Sequence, residues 1–263
     1  DWSWSRGLGD VYKRQAETTS LTALLFAELC EQAGIPDGVV NIITGDGTTG
    51  SLIVNHKDIN KIAFTGSTQV GKLIQKSLAG RDVGLTLELG GKAANIVYED
   101  AAIDQAVEGV VNGIFFNQGH VCCAGSRLLL QESIHDEFIT KLEKRMQTLR
   151  VGNPLDKNTD IGAVNSKEQL NKIEELVNEG VSDGGKIFQT ECELPGNGFW
   201  FKPTLFTDVQ PSYSIAREEI FGPVLTTLTF RTPQEAIEIA NNTEYGLSAG
   251  VWTEKGSKIL WTA

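Results

Sequence analysis

The spacing of hydrophobic positions along the chain alternates between helical periodicity and the short apolar runs of buried strands. Helical spacing between capping and stop residues predicts helices over 21–33, 48–55, 69–78, 101–116, 134–149, 167–179 and 233–241. Apolar runs predict strands over 39–43, 61–65, 85–89, 94–98, 127–131, 186–189, 201–206, 224–230 and 248–253. Because strands and helices alternate, we predict an α/β fold whose parallel-rich sheets are covered by helices on both faces.

The two ends of the chain depart from this pattern. Residues 1–15 match neither a regular element nor a targeting peptide, so we expect them to be irregular or foreign to the protein. The regular pattern begins at Ala16. Residues 258–263 start a helix that is cut short, which predicts a truncated chain.

Charge and cysteine content exclude several classes of function. The 263 residues carry 34 acidic and 23 basic side chains, a net charge of −11, without a basic cluster, which argues against nucleic-acid or anionic-membrane partners. No apolar run approaches the roughly 18 residues of a membrane span. Four cysteines without CxxC spacing, and three histidines outside any ligand pattern, favour free thiols in a reducing, cytoplasmic location and predict no metal site.

Two segments carry candidate chemistry. Leu87–Lys92 (LELGGK) places Glu88 near the end of an apolar strand, just before a Gly-Gly turn. Phe115–Arg127 (FFNQGHVCCAGSR) places Cys122 in a loop of small residues after a helix. A thiol and a carboxylate together suffice for nucleophilic attack followed by base-assisted hydrolysis. The alternative is that Glu88 is a structural carboxylate at a sheet end.

Cysteine is more often a small buried hydrophobe than a nucleophile, and this interpretation suits Cys30 and Cys192. His120 lies two positions before Cys122, so a Cys/His dyad is a further possibility, but closeness in sequence does not supply hydrogen-bond geometry.

A third segment, Phe64–Gly71 (FTGSTQVG), joins a predicted strand to a predicted helix. Glycine permits close backbone approach, and the unpaired N–H groups at a helix start attract an anion such as a pyrophosphate. The spacing is not that of a GxGxxG fingerprint, and a tight strand-to-helix turn is the alternative explanation.

Together the three segments resemble the signatures of the NAD(P)-dependent aldehyde dehydrogenases, from about Ala16 to the C terminus. The resemblance implies two lobes, each with a parallel-rich sheet flanked by helices: a partial, Rossmann-like cofactor lobe over 16–88 and a truncated catalytic lobe over 89–263. It makes Cys122, the first cysteine of CCAGSR, the nucleophile and Glu88 the general base, with burial strengthening that base. Cys123 is then a core residue. The family usually has Gln where this chain has His120.

The resemblance also implies a set of cofactor contacts. Glu17 corresponds to a carboxylate at the adenosine ribose, which favours NAD over NADP, although NADP remains an alternative. In the segment Glu218–Val224 (EEIFGPV), Glu219 accepts from the nicotinamide ribose and Phe221 packs at the nicotinamide end. The complete predicted set is Glu17, Gly47, Gly50, Phe64, Thr65, Gly66, Ser67, Val70, Leu89, Gly90, Glu219 and Phe221.

The implied activity is oxidation of a small-molecule aldehyde to a carboxylic acid with NAD(P)+, through a cysteine thiohemiacetal and thioester. The alternatives are a relative that passes the acyl group to coenzyme A, and a catalytically dead fragment or pseudoenzyme on the same fold. Family members are roughly twice as long. We therefore expect the full-length protein to be a homo-oligomeric dehydrogenase, and the 263-residue chain alone to be weakly active or inactive.

Overall fold

The computed structural model describes residues 11–14 and 16–263, and the chain divides into two compact units, Asp1–Leu89 and Gly90–Ala263. The division falls one residue after the boundary expected from the sequence.

The N-terminal unit alternates strands with helices. Its elements are β1 (Val11–Arg14), α1 (Ser20–Gln32), β2 (Val40–Ile43), α2 (Gly47–Asn55), β3 (Lys61–Thr65), α3 (Thr68–Leu78) and β4 (Gly84–Glu88). β1 pairs with β2 and β3 pairs with β4, both in parallel. Side-chain caps start two of the helices: Asp46 accepts from the backbone N–H of Thr48 at α2, and Ser67 accepts from that of Val70 at α3.

Strand β1 contradicts part of the expectation for the N terminus. Val11–Arg14 was expected to be irregular, yet it lies in register with Val40–Ile43 of β2. A strand of four residues carries little local signal, and its partner lies about 30 positions away in sequence. Residues 1–10 and 15, on which the rest of that prediction falls, lie outside the described residues.

The C-terminal unit is built on one six-stranded sheet. Its elements are β5 (Ala94–Val97), α4 (Ile103–Phe115), β6 (Arg127–Gln131), α5 (His135–Met146), α6 (Lys167–Ser182), β7 (Lys186–Gln189), β8 (Thr204–Thr207), α7 (Ser214–Arg217), β9 (Val224–Phe230), α8 (Pro233–Asn241), β10 (Ala249–Trp252) and α9 (Gly256–Thr262). The strand order is β10-β5-β6-β9-β8-β7, and every pairing is parallel except that of β7 with β8.

Burial on both faces of this sheet explains the apolar run of β6. Leu128 and Leu130 pack into a core shared with α4 and α5, whereas Leu129 packs into a second core with Ala236 of α8. All three leucines are fully buried. The predicted α/β architecture, with helices on both faces of a parallel-rich sheet, is confirmed.

Asp100 precedes the helix predicted over 101–116 but does not cap it. Helix α4 begins at Ile103, two residues later than expected, and no side chain caps it. Asp100 instead accepts hydrogen bonds from Thr253 Oγ1 at 2.8 Å and from Lys258 Nζ at 2.7 Å. A charge-assisted bond to an ammonium group is stronger than a bond to a backbone N–H, which explains the preference.

The parallel pairing aligns the first residues of three strands with the third residue of a fourth. Ala94 of β5 is in register with Arg127 of β6 and Ala249 of β10, and Arg127 is in register with Thr226 of β9. The segments that precede these four strands therefore meet at one edge of the sheet, the edge where the strands begin.

Candidate active site

The loop that carries Cys122 has an unusual backbone. After α4 ends at Phe115, three consecutive residues adopt left-handed conformations: Asn117 (φ 50°), Gln118 (φ 55°) and Gly119 (φ 75°). Asn117 Nδ2 donates to the carbonyl of His120 at 3.1 Å, and Gln118 Oε1 accepts from the backbone N–H of Gly162 at 3.1 Å. These bonds stabilise the turn that precedes Cys122. Cys122 lies at the edge of the sheet and is half-buried.

Close backbone contacts bring the three C-terminal-unit segments together. A Cβ on Gly91 would collide with the carbonyl oxygen of Cys122, and a Cβ on Gly119 would collide with that of Gly222. Only glycine allows such approach. The Gly90-Gly91 turn, the cysteine loop and the EIFGP segment therefore converge, although up to 131 positions (222 − 91) separate their residues.

Glu219 and Phe221 are fixed by bonds from other elements. The backbone N–H of Gly91 donates to Glu219 Oε1 at 2.9 Å, and Gly90 packs against the same carboxylate. Gln169 Nε2, at the start of α6, donates to the carbonyls of Ile220 (2.9 Å) and Phe221 (3.0 Å). Phe221 is thereby held at φ 54°, a left-handed conformation that is uncommon for an aromatic residue.

His120 packs against Phe221, and its Nε2 does not take part in the dyad considered from the sequence. The two ring centroids are 5.3 Å apart at an interplanar angle of 34°. The buried Nε2 of His120 has no hydrogen-bond partner in the described part of the chain, so it does not bond the Cys122 thiol. Burial lowers the pKa of His120, which favours the neutral imidazole.

Two buried cations lie behind this edge. Lys92 is 1% exposed, and its Nζ has no hydrogen-bond partner among the residues that the structure describes. Burial, aided by the charge of Arg127, lowers the pKa of Lys92 to about 7. Arg127 Nε donates to the carbonyl of Lys92 (2.8 Å), and its other nitrogens donate to Ile239 (3.1 Å) and Ala240 (2.8 Å) at the end of α8. Arg127 thus anchors the strand that follows Gly91.

Sequence reasoning missed the segment Tyr245–Ser248, which also reaches the site. Gly246 forms a parallel bridge with Gly91, Leu247 has φ 81°, and Ser248 Oγ donates to the carbonyl of Cys123 at 3.2 Å. The signal available was a Tyr-Gly turn before a predicted strand, which does not by itself indicate chemistry.

In the N-terminal unit, Glu88 lies beside the FTGS turn. Glu88 is the last residue of β4, the register partner of Thr65, and its carbonyl accepts from the N–H of Gly66 at 3.0 Å. The strand was expected to run one residue further, to Leu89, which instead packs against Gly71 of α3. Glu88 is exposed, so the burial expected of a base is not observed.

The remaining residues predicted to contact the cofactor lie at or near the starts of helices that follow parallel strands. Phe64, Thr65, Gly66, Ser67 and Val70 form the β3–α3 junction. At the start of α2, Gly47 and Gly50 have open space where a side chain would stand, so a ligand can approach the backbone. Glu17 is an exposed residue of a 3₁₀ turn before α1. Helix N-termini after parallel strands suit a pyrophosphate, as in a dinucleotide site, and here side-chain caps already accept from the N–H groups of Thr48, Thr49 and Val70.

The four cysteines are free thiols. Cys30 is buried, as expected of a core residue. Cys123 is exposed, so its predicted core role is wrong: the turn after Cys122 directs it outward. Cys192 is half-buried, with its Sγ 3.3 Å from Thr190 Oγ1. Residues 11–14 and 16–263 contain no cluster of three or more metal-ligating side chains and no helix that is long and apolar enough to cross a bilayer.

Comparison with known sequences adds the family context. The sequence profile of the aldehyde dehydrogenase family matches residues 10–263. An aldehyde dehydrogenase of Emericella nidulans is 46% identical over 261 residues, which are 96% of this chain and 52% of that protein. Retinal dehydrogenase 2 of Homo sapiens is 48% identical over 256 residues, 95% of this chain and 49% of that protein. The chain spans about half the length of the curated relatives it matches.

Solved structures agree with the sequence comparison. The NAD-dependent aldehyde dehydrogenase from Sinorhizobium meliloti superposes with a TM-score of 0.93 at 41% identity, over 96% of this chain and 51% of that one. The NAD+ complex of an aldehyde dehydrogenase from Bacillus cereus gives 0.92 at 40% identity, over 96% and 52%. From the profile match, these identities and the shared fold, the chain belongs to the aldehyde dehydrogenase family.

Proposed function

We propose that the protein oxidises an aldehyde to a carboxylic acid with NAD+, through an acyl group held on Cys122. The observation that carries this proposal is the convergence of Gly91, Cys122 and Glu219 at the edge where the strands of the C-terminal unit begin. Family membership and the NAD-dependent structural relatives support it.

Cys122 is the proposed nucleophile. Its thiolate sulfur forms a bond to the carbonyl carbon of the aldehyde, and the π-electron pair moves to the oxygen to give a tetrahedral thiohemiacetal anion. The half-buried position of Cys122 leaves its side chain accessible while its backbone is fixed against Gly91.

NAD+, when bound, supplies the hydride acceptor that converts the thiohemiacetal into a thioester. Glu219 is proposed to accept from the hydroxyls of the nicotinamide ribose, because Gly91 occupies only one of its two carboxylate oxygens. Phe221 lines the nicotinamide end. The starts of α2 and α3 would hold the pyrophosphate, with Glu17 at the adenosine ribose. A carboxylate there disfavours a 2′-phosphate and hence NADP.

Glu88 is the proposed base for hydrolysis. It removes a proton from water, the water oxygen bonds to the thioester carbon, and the carbon–sulfur bond breaks to release the acid and the Cys122 thiolate. The exposed position of Glu88 leaves its carboxylate in reach of water. Transfer of the acyl group to coenzyme A needs no hydrolytic base, so the presence of Glu88 favours hydrolysis.

Three broader properties belong to the same proposal. Residues 16–88 form part of the cofactor lobe and residues 89–263 part of the catalytic lobe. The protein acts in a reducing compartment, the cytoplasm, which its free cysteines support. It assembles as a homo-oligomer, as the family resemblance implies.

The test uses propanal, NAD+ and mass spectrometry of the intact chain over a single turnover, so slow catalysis is sufficient. We expect NADH and a propanoyl adduct on Cys122. Cys122→Ser should abolish both, whereas Cys123→Ser, the matched control, should retain both. The proposal fails if Cys122→Ser produces NADH at the rate of the unsubstituted chain, or if the unsubstituted chain produces NADH without an adduct on Cys122.

A further inference from the structure

His120 stands where the cysteine loop meets the EIFGP segment, two positions before Cys122. Its backbone N–H donates to the carbonyl of Asn117 at 2.9 Å, and its own carbonyl accepts from Asn117 Nδ2 at 3.1 Å. Because both backbone groups are bonded within the loop, a restraint on the imidazole ring is passed to the backbone that leads to Cys122.

The ring of His120 lies on a surface that other elements hold in place. The centroids of the His120 and Phe221 rings are 5.3 Å apart, and Gln169 Nε2 donates to the carbonyl of Phe221 at 3.0 Å. The adjacent residues also touch, since the carbonyl of Gly222 lies where a Cβ on Gly119 would stand. Two neighbouring contacts, one between rings and one between backbones, restrict a rotation of the loop that a single contact would allow.

The contact that His120 makes with Phe221 is packing and not hydrogen bonding. The two segments that meet at His120 also contain the titratable groups of Cys122, Cys123, Glu218 and Glu219, yet burial alone lowers the pKa of His120. A neutral ring suits this contact, because a charged Nε2 would be buried with no acceptor among the residues that the structure describes.

We propose that His120 is a positioning residue for Cys122: its ring, packed on Phe221, locks the cysteine loop to the EIFGP segment and so fixes the placement of the thiol. This inference rests on the proposed function, in which Cys122 is the nucleophile. His120 itself takes no proton from the thiol. A base that acted on the thiol through Nδ1 would be a different role, and the experiment separates the two.

The experiment measures the first acylation of Cys122 by p-nitrophenyl acetate, as the initial release of nitrophenol and by intact mass. We expect His120→Ala to slow this step roughly tenfold at about pH 8, because a small displacement of a nucleophile lowers its rate steeply. His120→Phe keeps an aromatic ring on Phe221 and should recover most of that loss. His56→Ala, at an exposed histidine of the N-terminal unit, is the control and should change nothing.

The pH profile adds a measurement that a purely structural role would not change. Below about pH 6.5 the imidazole of His120 begins to gain a proton, which weakens its packing, whereas the ring of His120→Phe stays neutral. The ratio of the two acylation rates cancels the protonation of the thiol itself. We expect this ratio, unsubstituted chain over His120→Phe, to be constant above about pH 7 and to fall in acid.

Three results would overturn the inference. An equal loss of rate in His120→Phe and His120→Ala would assign His120 a proton-transfer role. An unchanged rate in His120→Ala would show that the ring does not position the thiol. A rate ratio that stays constant into acid would show that the state of the ring has no effect on Cys122. Absence of acylation in every chain, the unsubstituted one included, would instead count against the nucleophile itself and hence against the proposed function.

Discussion

The backbone N–H of Gly91 donates to the carboxylate of Glu219 at 2.9 Å across 128 positions of sequence. This bond joins the end of the LELGGK turn to the EIFGP segment, and Gly91 also lies against the carbonyl of Cys122. The backbone of Gly91 therefore contacts both the Glu219 carboxylate and the segment of Cys122, and so holds the candidate site together.

Substitution of Gly91 tests this assembly. In Gly91→Ala the new Cβ meets the Cys122 carbonyl, so we expect a loss of about 1–3 kcal/mol of unfolding free energy and slower alkylation of Cys122 by iodoacetamide. The control is Gly113→Ala in α4, where a Cβ meets only ordinary contacts and alanine favours the helix. Thermal unfolding and peptide mass spectrometry measure both. If Gly91→Ala matched the unsubstituted chain in stability and in alkylation rate, the contact between Gly91 and the Cys122 carbonyl would not be tight.

Glu88→Gln tests the base without needing hydride transfer. An activated ester such as p-nitrophenyl acetate acylates a nucleophilic thiol directly, so the chain should release one equivalent of nitrophenol rapidly and then turn over by hydrolysis. Glu88→Gln should keep the first step and slow the second by about 10²–10⁴-fold, the usual contribution of a general base. The acetyl group should then accumulate on Cys122, as seen by intact mass. Glu31→Gln, an exposed carboxylate of α1, is the matched control. Unchanged steady-state release in Glu88→Gln would remove the proposed role.

Lys92 should make the free energy of unfolding increase with pH above neutrality. Its pKa is lowered from 10.5 to about 7 in the folded chain, so between these values the unfolded chain binds the proton that the folded chain has lost. Stability therefore rises with pH across this window. Lys92→Met keeps the length of the side chain and removes the unpartnered amine, so it should be more stable than the unsubstituted chain at pH 7.

The advantage of Lys92→Met should shrink as the pH increases from 7 toward 10.5, because removing the proton from the amine of the unfolded chain costs progressively less free energy. Urea unfolding of the two chains over this range measures it. A constant difference between them would mean that the amine is not the group that titrates.

Asp100 should also make stability rise with pH, but in the acid range. Burial acts to raise its pKa, but hydrogen bonds from Lys258 and Thr253 outweigh that effect and lower it. A carboxyl group with a lowered pKa contributes stability at neutral pH that is lost as pH falls through its folded value. Asp100→Asn should thus be less stable than the unsubstituted chain near pH 7, and the two should converge below the ordinary aspartate range near pH 4. Asp156→Asn, in an exposed loop, is the control. A difference that persists unchanged in acid would contradict the assignment.

Local sequence determined much of the fold. Strands β3, β6, β7 and β9 and helix α8 have the predicted bounds because an apolar run or a capped amphipathic segment specifies them without reference to distant residues. Elements that depend on distant partners were misjudged. Strand β1 exists by pairing with β2. Asp100 does not cap the helix that follows it but accepts a hydrogen bond from Lys258, 158 positions away.

The candidate site divides in the same manner. Cys122, Glu88 and Glu219 could be named from contiguous signatures. The contacts that connect the C-terminal loops could not, because each has on at least one side a backbone group that every residue possesses. These contacts join Gly91 to Glu219, Gly119 to Gly222 and Ser248 to Cys123. Side-chain exposure is equally hidden from a single sequence, which is why Cys123 and Glu88 differ from expectation.

The edge at which the sheet strands begin is also the edge at which the preceding helices end. Helix α4 stops just before the cysteine loop and α8 stops just before Tyr245, so both direct the carbonyl ends of their backbones, with partial negative charge, toward this region. Arg127 already takes advantage of that polarity by binding the last carbonyls of α8. Such an environment repels a phosphate and attracts a cation, so the C-terminal unit is electrically better matched to the positively charged ring of an oxidised nicotinamide than to the diphosphate of the same molecule.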